Sequence, residues 1–194
     1  MKANNYKLPK ELIPKFDLYY EMADTINKSF PLEIGEDLEC FYINAINNDL
    51  ALGIHRAIIY DEELIVNDIF NNGLLNALGN DIDYTVTIWE KPKLPIFMHE
   101  ILNASSYRNG ATTGAIIVAV PNKDLDNKSN LANPIWFREK HDTRLLPEYI
   151  YGYVRVIDEI PQYIIKNPNF KWQHDYQLDG LKYDVRAENG SIRR

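Results

Sequence analysis

A histidine–arginine pair inside an apolar run, and a carboxylate that enters another apolar run right after a proline, are the two places where residue type and setting point to chemistry. His55-Arg56 lies within Leu50-Ala51-Leu52-Gly53-Ile54-His55-Arg56-Ala57-Ile58-Ile59-Tyr60. Neighbours on a strand face opposite sides, so one of the pair must point inward or into a cleft. There it is either a satisfied structural group at a sheet edge or a group that binds an anionic or ribose-bearing ligand. Glu148 stands in Leu145-Leu146-Pro147-Glu148-Tyr149-Ile150-Tyr151-Gly152-Tyr153. Burying an unpaired carboxylate is costly. Glu148 therefore has a partner, sits at a cleft mouth, or is exposed at the strand start. A third element, Tyr107-Arg108-Asn109-Gly110, reads as a polar loop that carries an aromatic ring.

Other chemistries lack their residues. The four histidines, His55, His99, His141 and His174, never pair at metal-ligand spacing, so no zinc site is expected. Cys40 stands alone among Leu38, Phe41 and Tyr42; it reads as a small buried hydrophobe rather than a nucleophile. Ser105-Ser106 lacks the G-x-S-x-G elbow of a serine hydrolase. Neither a G-x-G-x-x-G nor a P-loop is present, which argues against Rossmann and P-loop nucleotide enzymes.

Composition narrows the class further. With 45% hydrophobic and 25% charged residues in 194, the chain reads as one globular domain with a core of its own. One cysteine excludes an internal disulfide. The net charge of −7 argues against general nucleic-acid binding. No apolar run approaches a membrane span, the longest being 115–120. Met1-Lys2-Ala3-Asn4-Asn5 has no apolar leader stretch, so a cytoplasmic location is the expectation, and delivery to another cell would leave no mark here.

The elements that must position these residues follow from periodicity. Phe16, Tyr19, Tyr20, Ala23, Ile26 and Phe30 form the stripe of an amphipathic helix over 14–30, which Pro31 stops. A second helix is expected after Gly35, with Leu38, Phe41, Tyr42 and Ala45 on one face and a turn at Asn47-Asn48-Asp49. A strand over 50–60 carries His55-Arg56. Asp61 suits a helix N-cap, Leu64, Ile65, Ile69 and Phe70 its buried side, and Gly73 a left-handed C′ position. Residues 84–89 are β-rich, and Pro95 opens a helix that buries Phe97, Ile101 and Ala104. Residues 115–120 read as a strand covered on both faces, and 135–138 as another. Residues 149–157 form a strand that places Ile150, Gly152, Val154 and Val156 on one face and Tyr149, Tyr151, Tyr153 and Arg155 on the other. Residues 163–165 are its hairpin partner, Asn167-Pro168-Asn169 a turn, 181–185 an edge strand and 188–194 a tail. The expected class is α+β: N-terminal helices followed by a mixed, mainly antiparallel sheet. Residues 1–49 form a helical part, 50–166 an α+β core and 167–194 an extension.

A strand holding His55-Arg56, followed by a short helix that ends in Ile69-Phe70-Asn71-Asn72-Gly73-Leu74, resembles the start of ADP-ribosyltransferase domains. Pro147-Glu148-Tyr149-Ile150 resembles the late element that carries their catalytic glutamate. The resemblance spans 50–157 and implies an ADP-ribosyltransferase-like fold with NAD as substrate and no metal. In the His-Tyr-Glu branch it assigns His55 or Arg56 to the NAD ribose, Tyr107 to stacking on nicotinamide, and Glu148 to catalysis. Glu148 would hold the nicotinamide-ribose hydroxyl and stabilise the oxocarbenium-like transition state. The Ser-Thr-Ser element of the arginine-modifying toxins is absent, and Leu146 stands where a Glu or Gln would lie two residues before Glu148.

Three functions stay open. The resemblance implies an NAD-consuming transferase or glycohydrolase, as a bacterial toxin, effector or mobile-element protein that modifies a host macromolecule. The 13 tyrosines and the acidic charge also fit a non-catalytic protein-binding module, such as an immunity or anti-host protein. An RNA-modifying enzyme on a related fold is the third.

Overall fold

The structure, a computed structural model, describes residues 4–57, 62–75, 85–89, 92–106, 113–121, 135–138 and 144–172. The expected strand end at 58–60, the Asp61 cap, the loop 107–110, the edge strand at 181–185 and the tail at 188–194 lie outside the described residues.

The class is α+β. Two helices, α1 (Asp17–Ser29) and α2 (Leu32–Asn47), lead into β1 (Leu50–Ala57). A helical segment follows in three pieces: α3 (Glu62–Leu64), a π-helical turn (Ile65–Ile69) and α4 (Phe70–Asn72). Then come β2 (Leu74–Leu75), β3 (Thr85–Trp89), α5 (Leu94–Asn103), β4 (Gly114–Pro121), β5 (Ile135–Arg138), β6 (Arg144–Leu145), β7 (Ile150–Ile157) and β8 (Ile160–Lys166). Six strands form one sheet in the order β5-β3-β1-β4-β7-β8, while β2 and β6 make a separate ribbon. Every pairing among the described residues is antiparallel, where a mixed sheet was expected.

The centre of the sheet is β4, buried along its whole length as its apolar run predicts. Ala115, Ile117 and Ala119 join Leu52, Ile54 and Val154 in a core closed by Ile26, Leu38, Phe41, Phe97 and Ile101 from α1, α2 and α5. Ile116, Val118 and Val120 face the other way. They join Ala51, Tyr149, Ile150 and Tyr153 under Ile65, Ile69 and Phe70. Pro95 stands in the first turn of α5 as expected, and Gly73 takes a positive φ of 88° after α4 with ψ 168°, outside the left-handed helical well.

The helices depart from their sequence pattern in two ways. Ala23, Ile26 and Phe30 are buried, but Phe16 and Tyr20 of the same stripe are exposed, so the N-terminal half of α1 overhangs the core. Helix α2 starts at Leu32, earlier than the expected start after Gly35. The ring of Tyr6 lies against Gly35, where an added Cβ would stand 2.2 Å from the Tyr6 Cγ. Gly35 is thus a packing glycine inside a helix. Cys40, expected to be buried, is exposed, because Leu38, Phe41, Tyr42 and Ala45 turn the other side of α2 to the core. The native thiol should therefore react with one equivalent of a thiol reagent without denaturant. A thiol that reacts only on unfolding would contradict this exposure.

Strand β7 also breaks the expected alternation. A bulge opposite Ile117 and Val118 sets Gly152 and Ile150 against consecutive residues of β4 and leaves Tyr151 as the extra residue. Tyr151 consequently turns to the helices and stacks on Phe41 at 4.1 Å, while Ile150 and Tyr153 share the opposite face. The β7–β8 hairpin turns through Asp158 and Glu159, both at positive φ (50° and 61°), the two-residue turn whose twist matches the strands. Beyond β8, buried Asn167 donates to the carbonyls of Pro147 and Ile150 (both 2.9 Å) and accepts from the Asn169 amide at 3.0 Å. Asn169 in turn donates to the Phe70 carbonyl at 2.9 Å. Asn167→Ala would strand these carbonyls in a low-dielectric setting and should cost about 2–4 kcal/mol. Chemical denaturation of the two proteins measures it, and a loss below about 1 kcal/mol would show that the hub is dispensable.

Candidate functional site

Among the described residues the expected site does not assemble around one cleft. His55 is buried on β1 and shares its cross-strand row with Ile116 and, one strand further, Tyr153. Arg56 faces the opposite side of the sheet, where its Nη2 meets Glu100 Oε2 of α5 at 3.4 Å. Glu148 is half-buried in the short 3-10 turn Pro147–Tyr149, and its carbonyl accepts the Lys171 amide at 3.1 Å. Ile150 lies level with Gly53 through Val118, and Tyr153 lies level with His55. Glu148 therefore precedes the far end of β7, two strand spacings (roughly 10 Å) sideways and on the order of 10–15 Å along the strands from His55. Tyr107 lies outside the described residues.

Near His55, the end of the sheet carries a polar cluster that the sequence reading did not single out. Arg155 Nη1 lies 3.7 Å from Glu62 Oε1, and the Tyr163 hydroxyl donates to the same carboxylate oxygen. The Tyr153 hydroxyl lies 2.8 Å from Thr113 Oγ1 and 3.1 Å from the Thr113 carbonyl. Burial raises the Tyr153 pKa, with Thr113 and Arg155 pulling the other way. The Tyr163 pKa is raised first by its bond to Glu62. The Glu62 contacts tie α3 to β7 and β8. His99, elsewhere, shares its Nδ1 with Asn103 at 3.3 Å inside α5. No group of three or more metal-ligating side chains occurs among the described residues, nor is any helix there long and apolar enough to cross a membrane.

The second feature is a cleft of about 650 Å³ on the helix side of β8. Its floor is Pro31, Leu32, Ile34 and Ile164, and its rim carries Glu33, Asp37, Tyr163 and Lys166. Two facts of the fold create it. The early start of α2 brings Glu33 and Asp37 within one turn of each other, beside the strand. The order of the sheet leaves β8 without a second neighbour among the described residues. Asp37 accepts the Tyr151 hydroxyl at 3.0 Å and pairs with Lys166, whose ammonium stands 5.8 Å from the Tyr151 ring centre. The i, i+4 spacing of Glu33 and Asp37 is the sequence signal of this rim, and a helix that begins only after Gly35 does not contain it.

The chain matches no protein-family model, no curated protein and no solved structure.

Buried tyrosines link this chemistry to stability. Burial and the Glu39 carboxylate raise the Tyr6 pKa, burial and Asp37 that of Tyr151, and burial that of Tyr42. Above the ordinary phenol value of about 10 the unfolded chain ionises while these rings stay protonated in the fold. The unfolded state then binds fewer protons, so stability falls with rising pH, by about 1.4 kcal/mol per pH unit for each such ring. Stability should be insensitive to these rings below pH of about 10 and drop steeply above it. Urea melts across the alkaline range, with phenolate absorbance followed in parallel, test this. Ionisation of all thirteen tyrosines before unfolding would contradict it.

Proposed function

We propose that this chain is a non-catalytic protein-binding module, and that the cleft beside β8 is its recognition face. The observation that carries the reading is the cleft itself, with exposed Glu33 on its rim beside the Asp37–Lys166 pair, set along a strand that has one neighbour among the described residues. Partly apolar concavities with a few polar groups at the rim are where binding sites form. Exposed Ile157, Ile160 and Tyr163 extend the apolar surface around the hairpin.

The NAD-cleaving alternative would need His55 or Arg56 to act with Glu148 on one ligand. His55 and Arg56 take opposite faces, Arg56 is paired with Glu100, and Glu148 lies towards the other end of the sheet. Among the described residues no geometry favours that reading, and none favours RNA modification.

Purified protein should release no nicotinamide from NAD above the blank, and NAD should leave its melting temperature unchanged. Glu148→Ala should behave identically. Nicotinamide release by the wild type that Glu148→Ala abolishes, with both proteins folded by circular dichroism, would sink the binding-module reading.

A further inference from the structure

We infer that the partner is an extended, basic segment of another protein that adds as a seventh strand to the sheet along residues 162–166 of β8. This rests on the binding-module reading and specifies its ligand.

Three observations converge on it. First, β8 is an edge among the described residues, and a strand at an edge keeps alternate backbone N–H and C=O groups directed away from its one neighbour. Pro161 is buried, has no N–H and pairs opposite Val156. A bulge follows, with Gln162 as the extra residue before Tyr163 pairs with Arg155. The proline and the bulge end the usable edge, leaving 162–166, about 17 Å of extended chain.

Second, the two faces of that edge differ in chemistry. Ile164 and Lys166 face the helix layer, where the cleft runs. An added strand would direct alternate side chains there, toward Glu33 and Asp37. Glu33 is exposed and has no ion-pair partner among the described residues. Lys166, reaching from the strand to Asp37, already shows the contact that a partner's lysine or arginine would make. The other face continues the exposed row of Tyr163 and Ile160, which an apolar side chain of the added strand would cover. The complement is thus an alternating basic and apolar sequence, with its cations toward α2.

Third, the charge of the whole chain is −7, so its long-range field attracts such a segment and repels an acidic one.

The experiment uses the full chain labelled with nitrogen-15 and two ten-residue probes. One alternates lysine and valine; the other has glutamate in place of lysine. The expected result is amide shifts and slowed hydrogen exchange within 162–166 on adding the lysine peptide. The glutamate peptide should bind at least about tenfold more weakly. Glu33→Lys should weaken lysine-peptide binding by about tenfold, and Glu33→Gln by less. Glu33 is exposed on the first turn of α2, so both variants should keep the wild-type circular dichroism spectrum.

Several results would overturn the proposal. These are no response to either peptide at millimolar concentration, equal binding of both, or no effect of Glu33→Lys on the lysine peptide. Protection of 162–166 in the free protein that grows with its concentration would give the edge to a second copy of this chain. Protection there at every concentration would give it to another segment of the same chain. Peptide binding with shifts outside 162–166 would remove strand addition and leave the binding-module reading standing. Nicotinamide release lost in Glu148→Ala would instead remove the binding-module reading itself.

Discussion

The constraint on which this fold depends is the burial of both faces of β4. A strand with six consecutive apolar residues cannot be satisfied by one covering layer, because its side chains alternate. The chain meets this with α1, α2 and α5 on one side and the short helical segment of 62–72 on the other. The two faces are not equivalent. Ala115 and Ala119 on the helix side leave room for the large rings of Phe41 and Phe97, while Ile116, Val118 and Val120 fill the side where the cover is thin. Strands β1 and β7, the immediate neighbours of β4, inherit the same two-sided division.

The thin side is secured by polar bonds as much as by area. Asn167 and Asn169 bind carbonyls from the start of β7 and the start of α4. At the other end, Glu62 joins α3 to Arg155 and Tyr163. A short helical segment with few apolar side chains has little hydrophobic hold, so a buried, fully bonded amide contributes specificity that packing alone does not. The same clamps account for residues that look functional in isolation. The Glu148 carbonyl belongs to the network that anchors the chain after β8, and the Arg56 guanidinium is tied to α5 through Glu100.

Sheet order decides where a partner can approach. With β4 central and the chain returning through β7 and β8, the hairpin becomes the border of the sheet among the described residues, and α2 runs beside it. The border carries devices that restrain pairing: a buried proline, a bulge and a lysine. They confine any pairing to five residues, alongside Glu33 and the Asp37–Lys166 pair.

The amino-acid sequence by itself determined the α+β class, the both-face burial of 115–120, a helix with Pro95 in its first turn and the hairpin of 149–157 with 163–165. Each of these is written in local periodicity or in the φ preference of a single residue, and needs no distant contact. What it could not determine depends on residues far apart in the chain. Gly35 reads as the residue before the helix, yet it lies inside it, where the Tyr6 ring fills the space a side chain would take. The stripe of α1 reads as buried throughout, but the core ends beneath Ala23. Tyr151 reads as a companion of Tyr153, yet one extra residue in the pairing with β4 turns it to the opposite face. A resemblance of motifs joins His55, Arg56 and Glu148 in one site, and motifs carry no register. The register of three strands separates them, since register is set by how β1, β4 and β7 share one core. Glu33 and Asp37 carry an ordinary helical spacing, and it is the placement of β8 beside them that makes the pair a rim.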